Sequence, residues 1–261
     1  NPHASEASGH AGFAALLAAN MRHARAMRLD HAMGLERLFV VPAGARASEG
    51  CYLHGDGAGM LATLARESHA AGCAVVGEAL GTVPEGFTDR LSDAGVLAYR
   101  VLWFERDGTG FRDPRTWPAS AAACVSTHDL APLAGWWEGA EIAERAALGL
   151  AAAEPALQDR ARDRAALCAA CGIADGPYGP EDAAAVHGFV AAAPSALMLV
   201  QAEDLAGERI GVNLPGTDRE RPNWRRRLPV AADALLEGEL PRAILGALRE
   251  RGADDGGPPS L

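Results

Sequence analysis

The sequence predicts an α/β fold, a parallel sheet with helices packed on its faces. Short apolar runs alternate along the chain with longer stretches whose apolar residues recur at helical spacing, the pattern of strands joined by helical crossovers. Three of the strand-like runs end in an acidic residue, Asp30, Glu78 and Asp129, separated by 48 and 51 residues. In a parallel barrel every strand C-terminus lies on one face, where such carboxylates can converge.

Taken in order, residues 11–25 read as a helix closing on basic residues, which suits a helix C-terminus. A strand at 26–29 ends at Asp30. Residues 57–71 read as a helix, 73–77 (CAVVG) as a buried strand ending at Glu78, and 86–94 as a short helix. Strands follow at 96–104 and at 121–127, the latter leading into His128-Asp129. Ala-rich helical sequence fills 138–171, another helix covers 181–193, and a last strand at 196–201 precedes Glu203-Asp204. The Gly/Pro-rich end, 252–261, is expected to be a disordered tail. Residues 1–251 are read as one domain.

Composition narrows the function. Hydrophobic residues make up 49% and charged residues 22%, a globular balance. No run of 18 apolar residues occurs, so no membrane partner is expected. A net charge of −10 argues against nucleic acid, which needs a basic face. The five cysteines, an odd number at irregular spacing, do not form a disulfide framework, and a reducing cytoplasm is expected. Cys168-Ala-Ala-Cys171 is either a redox or metal pair or two ordinary helix cysteines. The absence of a second ligand pair favours the latter. No GxGxxG or phosphate loop is present, and neither cofactor nor metal is expected. The chain opens Asn1-Pro2-His3 rather than with Met and is read as a fragment.

Cleaving a glycosidic bond needs two carboxyl groups flanking the anomeric carbon, and a third can hold sugar hydroxyls. Arg28 lies two residues before Asp30 and so shares its face of the strand. A cation there favours the anionic form of its neighbour. A single acid at a strand end is equally a helix cap or loop residue. Spacing alone leaves a glycosidase among several carboxylate-based barrels.

Four motifs narrow this further. Arg28-Leu29-Asp30-His31-Ala32-Met33-Gly34-Leu35 resembles the nucleophile strand of the amylomaltases, glycoside hydrolase family 77 of the α-amylase clan. Gly77-Glu78-Ala79-Leu80-Gly81-Thr82-Val83-Pro84 resembles its acid/base motif. Ser126-Thr127-His128-Asp129-Leu130, with Gly135-Trp136-Trp137, resembles the third-carboxylate motif. Asn213-Leu214-Pro215-Gly216-Thr217, with Pro222-Asn223-Trp224-Arg225-Arg226, resembles a late substrate loop. The resemblance covers most of residues 11–230. It departs at Ala79, where the family has Asp, and at Val40, in a stretch where the family usually carries Trp.

The resemblance implies the C-terminal portion of a (β/α)8 TIM barrel, about strands 4–8, whose closure needs eight strands. It implies a 4-α-glucanotransferase acting by retaining double displacement on an α-1,4-glucan (maltodextrin) donor, with glucose or another glucan as acceptor. Asp30 would be the nucleophile, Glu78 the general acid/base and Asp129 the transition-state stabiliser. Arg28 would orient Asp30, His128 would hydrogen-bond the sugar, and Asn213 and Pro215 would line the loop beside it. His31 would support its neighbours. Trp136, Trp137 and Trp224 are each readable as sugar platform or as core. The rival readings are an α-glucan hydrolase of the same clan and a non-catalytic glucan-binding remnant.

Overall fold

The computed structural model describes residues 1–254. Its strands are β1 (Ala26–Leu29), β2 (Arg37–Val40), β3 (Cys51–His54), β4 (Ala74–Gly77), β5 (Leu97–Val101), β6 (Arg106–Asp107), β7 (Gly110–Phe111), β8 (Ala121–Cys124) and β9 (Leu197–Leu199). Five of them form one sheet in the order β1-β4-β5-β8-β9, with β1 parallel to β4 and β4 parallel to β5. This is the predicted parallel sheet of a half-barrel, and all five predicted strands are present.

The differences have local causes. β5 stops at Val101 because Leu102–Phe104 tightens into a 3-10 turn. The helical sequence expected over 138–171 is divided into Leu133–Glu138, Ala140–Ala147 and Ala153–Cys171. Gly139 and Gly149 sit between them at φ 73° and 70°, a left-handed geometry that ends a helix. The first predicted helix ends at Met21, which leaves four residues to reach β1. The hairpins β2–β3 and β6–β7 and the helices Pro2–Ala7 and Glu239–Asp254 were not predicted. Beyond Asp254, the tail expected from 252 lies outside the described residues.

The described residues gather into two compact units. The first comprises Asn1–Tyr99 with Ser120–Ala122. Its core joins Leu17 and Met21, Leu64, Val75 on β4, and Phe87 and Leu91. The helix Gly57–Ala71 begins where the Asp56 carboxylate accepts from the Gly59 amide at 2.9 Å, and it ends at Gly72 in the left-handed region. His10 lies 3.1 Å from the same carboxylate, and Ser5 3.0 Å from the other ring nitrogen.

The second unit comprises 100–119 and, among the described residues, 123–254. Its core includes Leu102, Val125, Leu133, Trp137, Leu167, Val186 and Ile244. The Leu133 amide donates to the buried Asp204 carboxylate at 2.7 Å, which starts the helix Leu133–Glu138. Trp136 stacks on Trp103 with centroids 4.2 Å apart, and the Trp137 indole N–H donates to the Gly176 carbonyl at 2.9 Å. Gly135 lies so close to the Arg209 carbonyl that a Cβ would meet its oxygen at 1.9 Å.

All five cysteines are free thiols. Cys168 and Cys171 occupy the last turn of the helix Ala153–Cys171, and burial pushes the Cys171 thiol up to about 12. Low thiolate character is the opposite of what a redox pair needs. A thiol reagent at pH 8 is therefore expected to label exposed Cys51 well before Cys168 or Cys171. Peptide mapping checks this, with equal labelling expected only after denaturation.

Gly135→Ala is expected to lower stability by about 1–3 kcal/mol, because backbone must shift to admit the methyl. Gly12, exposed on a helix with open space around its Cβ position, is the contrast. Its replacement by Ala is expected to stabilise by up to about 1 kcal/mol. Urea unfolding midpoints measure both.

Candidate active site

The first unit builds its part of the site from strand register. Arg28 pairs with Val76 and Leu29 with Gly77. The ladder then runs one step past both strands, where the Glu78 amide donates to the Leu29 carbonyl at 2.9 Å. Asp30 and Glu78 are therefore adjacent at the C-terminal ends of two parallel neighbours. The chain turns at once after Asp30: His31 takes φ 47°, and the Ala32 amide donates to the Glu78 carbonyl at 2.7 Å.

That turn holds the Glu78 carboxylate. The His31 amide donates to Oε2 at 2.9 Å and the Leu80 amide donates to Oε1 at 2.5 Å. Glu78 is only 3% exposed. Two main-chain donors satisfy a buried carboxylate that would otherwise be costly to bury. Residue 79 supplies neither of these two hydrogen bonds.

Asp30 is held differently. Its side chain is 56% exposed and its Oδ1 lies 2.7 Å from Arg28 Nη1. The Arg28 guanidinium also sits over the Tyr99 ring, 5.2 Å from its centroid. Tyr99 was missed from sequence; its only signal is its place on β5. His31 faces both acids, at 3.6 Å from Asp30 and 3.5 Å from Glu78, longer than hydrogen bonds. One ligand atom each from Asp30, His31 and Glu78 lie within 4.8 Å of one another. A metal could use such a trio, but both Glu78 oxygens are already engaged by amides. One carboxylate oxygen of Asp30 and one of Glu78 thus lie within 4.8 Å of each other.

The second unit carries the other predicted residues. β8 is buried along its length, and the Ser126 hydroxyl beyond it donates to the Ala131 carbonyl at 2.8 Å, closing the turn that presents His128 and Asp129. Asn213 Nδ2 donates to Asp129 Oδ1 at 2.6 Å, and His128 Nε2 lies 3.2 Å from Asp129 Oδ2. Asp129, His128 and Asn213 thus form one cluster. Pro215 is exposed on the same loop.

The loop is braced from within. The Asn223 side-chain carbonyl accepts from the Leu214 amide at 3.1 Å and from Arg221 at 2.6 Å, while its amide donates to Thr217 Oγ1 at 2.8 Å. The Trp224 amide donates to the Val212 carbonyl at 3.0 Å. Trp224 is held at φ 62° with 61% of its surface exposed, its ring 5.4 Å from that of His128. Trp136 and Trp137 are buried in the core, so of these three indoles the exposed one is Trp224. Among the described residues three non-glycines adopt positive φ, and two of them, His31 and Trp224, stand beside predicted site residues. Such strain concentrates at functional sites.

The sequence matches glycoside hydrolase family 77, 4-alpha-glucanotransferase, over residues 1–232. The chain belongs to glycoside hydrolase family 77. A 4-alpha-glucanotransferase of Mycobacterium tuberculosis (strain H37Rv) is 40% identical over 241 residues, covering 86% of this chain and 33% of that protein. One of Haemophilus influenzae is 33% identical over 243 residues, 87% of this chain and 35% of that protein. The chain therefore spans about a third of the length of these curated relatives. The crystal structure of amylomaltase from Corynebacterium glutamicum superposes with a TM-score of 0.88 at 32% identity, over 95% of this chain and 39% of that one. The amylomaltase from Streptococcus agalactiae in complex with acarbose shares the fold, with a TM-score of 0.72 at 16% identity, over 97% of this chain and 46% of that one. The α/β half-barrel is thus part of a family 77 fold.

The two acids differ in what they hold in place. Glu78→Gln presents an NH2 group to one of two amide donors and is expected to cost about 1–3 kcal/mol. Asp30→Asn, at an exposed ion pair, is expected to cost no more than about 1 kcal/mol. Urea unfolding of both variants checks the order.

Proposed function

We propose that this chain supplies the catalytic carboxyls of a 4-α-glucanotransferase, and the observation that carries the reading is the Asp30–Glu78 pair within 4.8 Å. Inverting chemistry would need room for a water and a separation of about 6.5–9.5 Å. In the first step an Asp30 oxygen forms a bond to the anomeric carbon. The α-1,4 C–O bond breaks, and its oxygen takes the proton from the Glu78 carboxyl. In the second step Glu78 removes the proton of an acceptor 4-hydroxyl, whose oxygen displaces Asp30. Two inversions retain the α configuration.

The remaining roles follow from contacts. Arg28 keeps Asp30 aimed. Asn213 and His128 orient Asp129 to accept from sugar hydroxyls. Trp224 offers its open ring to an apolar pyranose face, and Pro215 lies on the same loop. The donor is an α-1,4-glucan and the acceptor glucose or another glucan. Residues 1–251 act as part of a barrel domain, completed by the further strands that an eight-stranded barrel requires. Five free thiols fit a reducing, cytoplasmic setting.

Maltotriose as sole substrate tests the reading, in this chain and in the chain joined to the remainder of a relative. Transfer releases glucose together with longer maltodextrins. Asp30→Asn is expected to abolish it, a loss on the order of 10⁴-fold or more. Cys168→Ala is expected to change it little, and Trp224→Ala to raise KM about tenfold, in line with the loss of a stacked ring. Near-normal transfer by the Asp30 variant would refute the mechanism. Glucose and maltose without longer products would favour hydrolysis.

A further inference from the structure

The second unit contains a basic cavity whose arginines have no part in the transfer steps given above. It measures about 380 Å³ and is walled by Arg221, Arg225, Arg226 and Arg227, with Glu144 the one acid in its lining. This volume is within the range of small-molecule sites, about 300–1,000 Å³. The chain as a whole carries 34 acidic against 24 basic residues, so four arginines around one hollow are a local reversal of its charge.

The four are not equivalent. Arg221 is buried and fully engaged: Nε donates to Glu144 at 2.9 Å, Nη2 to the Gly211 carbonyl at 2.5 Å and Nη1 to Asn223 at 2.6 Å. It is a wall. Arg226 has a loose partner, Glu208, at 3.7 Å. Arg225 and Arg227 are exposed and enter no ion pair among the described residues. Four guanidinium groups thus face two carboxylates, Glu144 and Glu208, and two of the four have their planar donor forks open. Such forks match the oxygens of a phosphate.

From this geometry we infer that the cavity binds the phosphate group of a small phosphorylated sugar. The anion follows from the open arginines. A polyanion is disfavoured, because it would run on from this single hollow across a surface of net negative charge. The sugar follows from position, and this part rests on the reading of Trp224 as a pyranose platform. Arg225 is the next residue after Trp224, and the Val212 carbonyl that anchors the Trp224 amide belongs to the cavity wall. The next residue, Asn213, holds Asp129.

The test is calorimetric titration of this chain with glucose 6-phosphate, inorganic phosphate and glucose, in about 0.15 M NaCl to screen non-specific attraction. Saturable binding is expected for glucose 6-phosphate, weaker binding for phosphate, and the weakest for glucose. The Arg225→Ala/Arg227→Ala double variant is expected to lose about tenfold or more for both phosphate ligands. Both residues are exposed and unpaired, and an unchanged Tm shows that the fold is kept. Trp224→Ala is expected to weaken glucose 6-phosphate and leave inorganic phosphate unchanged. Equal affinity for the two phosphates would overturn the sugar component. No saturable phosphate binding, or wild-type binding by the double variant, would overturn the site. Because no turnover is read, failure of the transferase reading in the maltotriose assay stays separate from failure here.

Discussion

The register between β1 and β4 carries the rest of the acid pair. With Leu29 opposite Gly77, the next residue on each strand is a carboxylic acid, and the hydrogen bond from the Glu78 amide to Leu29 holds the two at the same level. A slip by one residue would turn every side chain of a strand to its opposite face. Gly77 contributes to this precision, since a Cβ there would approach Val96 and Leu91 at 3.0 and 3.2 Å. A side chain there would press on Val96, just before β5, and on the helix Phe87–Asp93, one residue before the buried acid.

Two devices then give the acids different surroundings. Glu78 is sunk and clamped by main-chain amides, whereas Asp30 is open and tied to a cation. The first arrangement is rigid because it depends on backbone, which cannot swing away. The second leaves a carboxylate open to solvent. In the other unit Asp129 is oriented by side chains instead, and the loop that supplies Asn213 is stiffened by Asn223 and the buried Arg221.

Much of this was legible in the sequence because it is local. Strand runs ending in Asp30 and Glu78, and the helix Gly57–Ala71, are set by periodicity and by capping residues within a few positions. Other features depend on partners distant in the chain. The hairpin β2–β3 lacks a tight two-residue turn signal, since ten residues separate its strands. The helix Glu239–Asp254 follows a long irregular stretch, and its Ile244 reaches a core laid down by residues more than fifty positions earlier. The fate of the tryptophans was equally hidden: adjacent Trp136 and Trp137 both turn inward, and only three-dimensional packing distinguishes them from Trp224. The main-chain clamp on Glu78 has no side-chain signature at all.

The left-handed backbone at Trp224 bears on how such a sequence drifts. An L-residue in that conformation costs about 1–2 kcal/mol that glycine would not, and an indole left mostly in water returns little of it through burial. For folding alone, glycine is the better residue here. Random substitution screened only for stability would therefore tend to erase this tryptophan, whereas selection for the proposed sugar contact would keep it. The position is a natural reporter of selection, separating sequences still in use from those that merely remain folded.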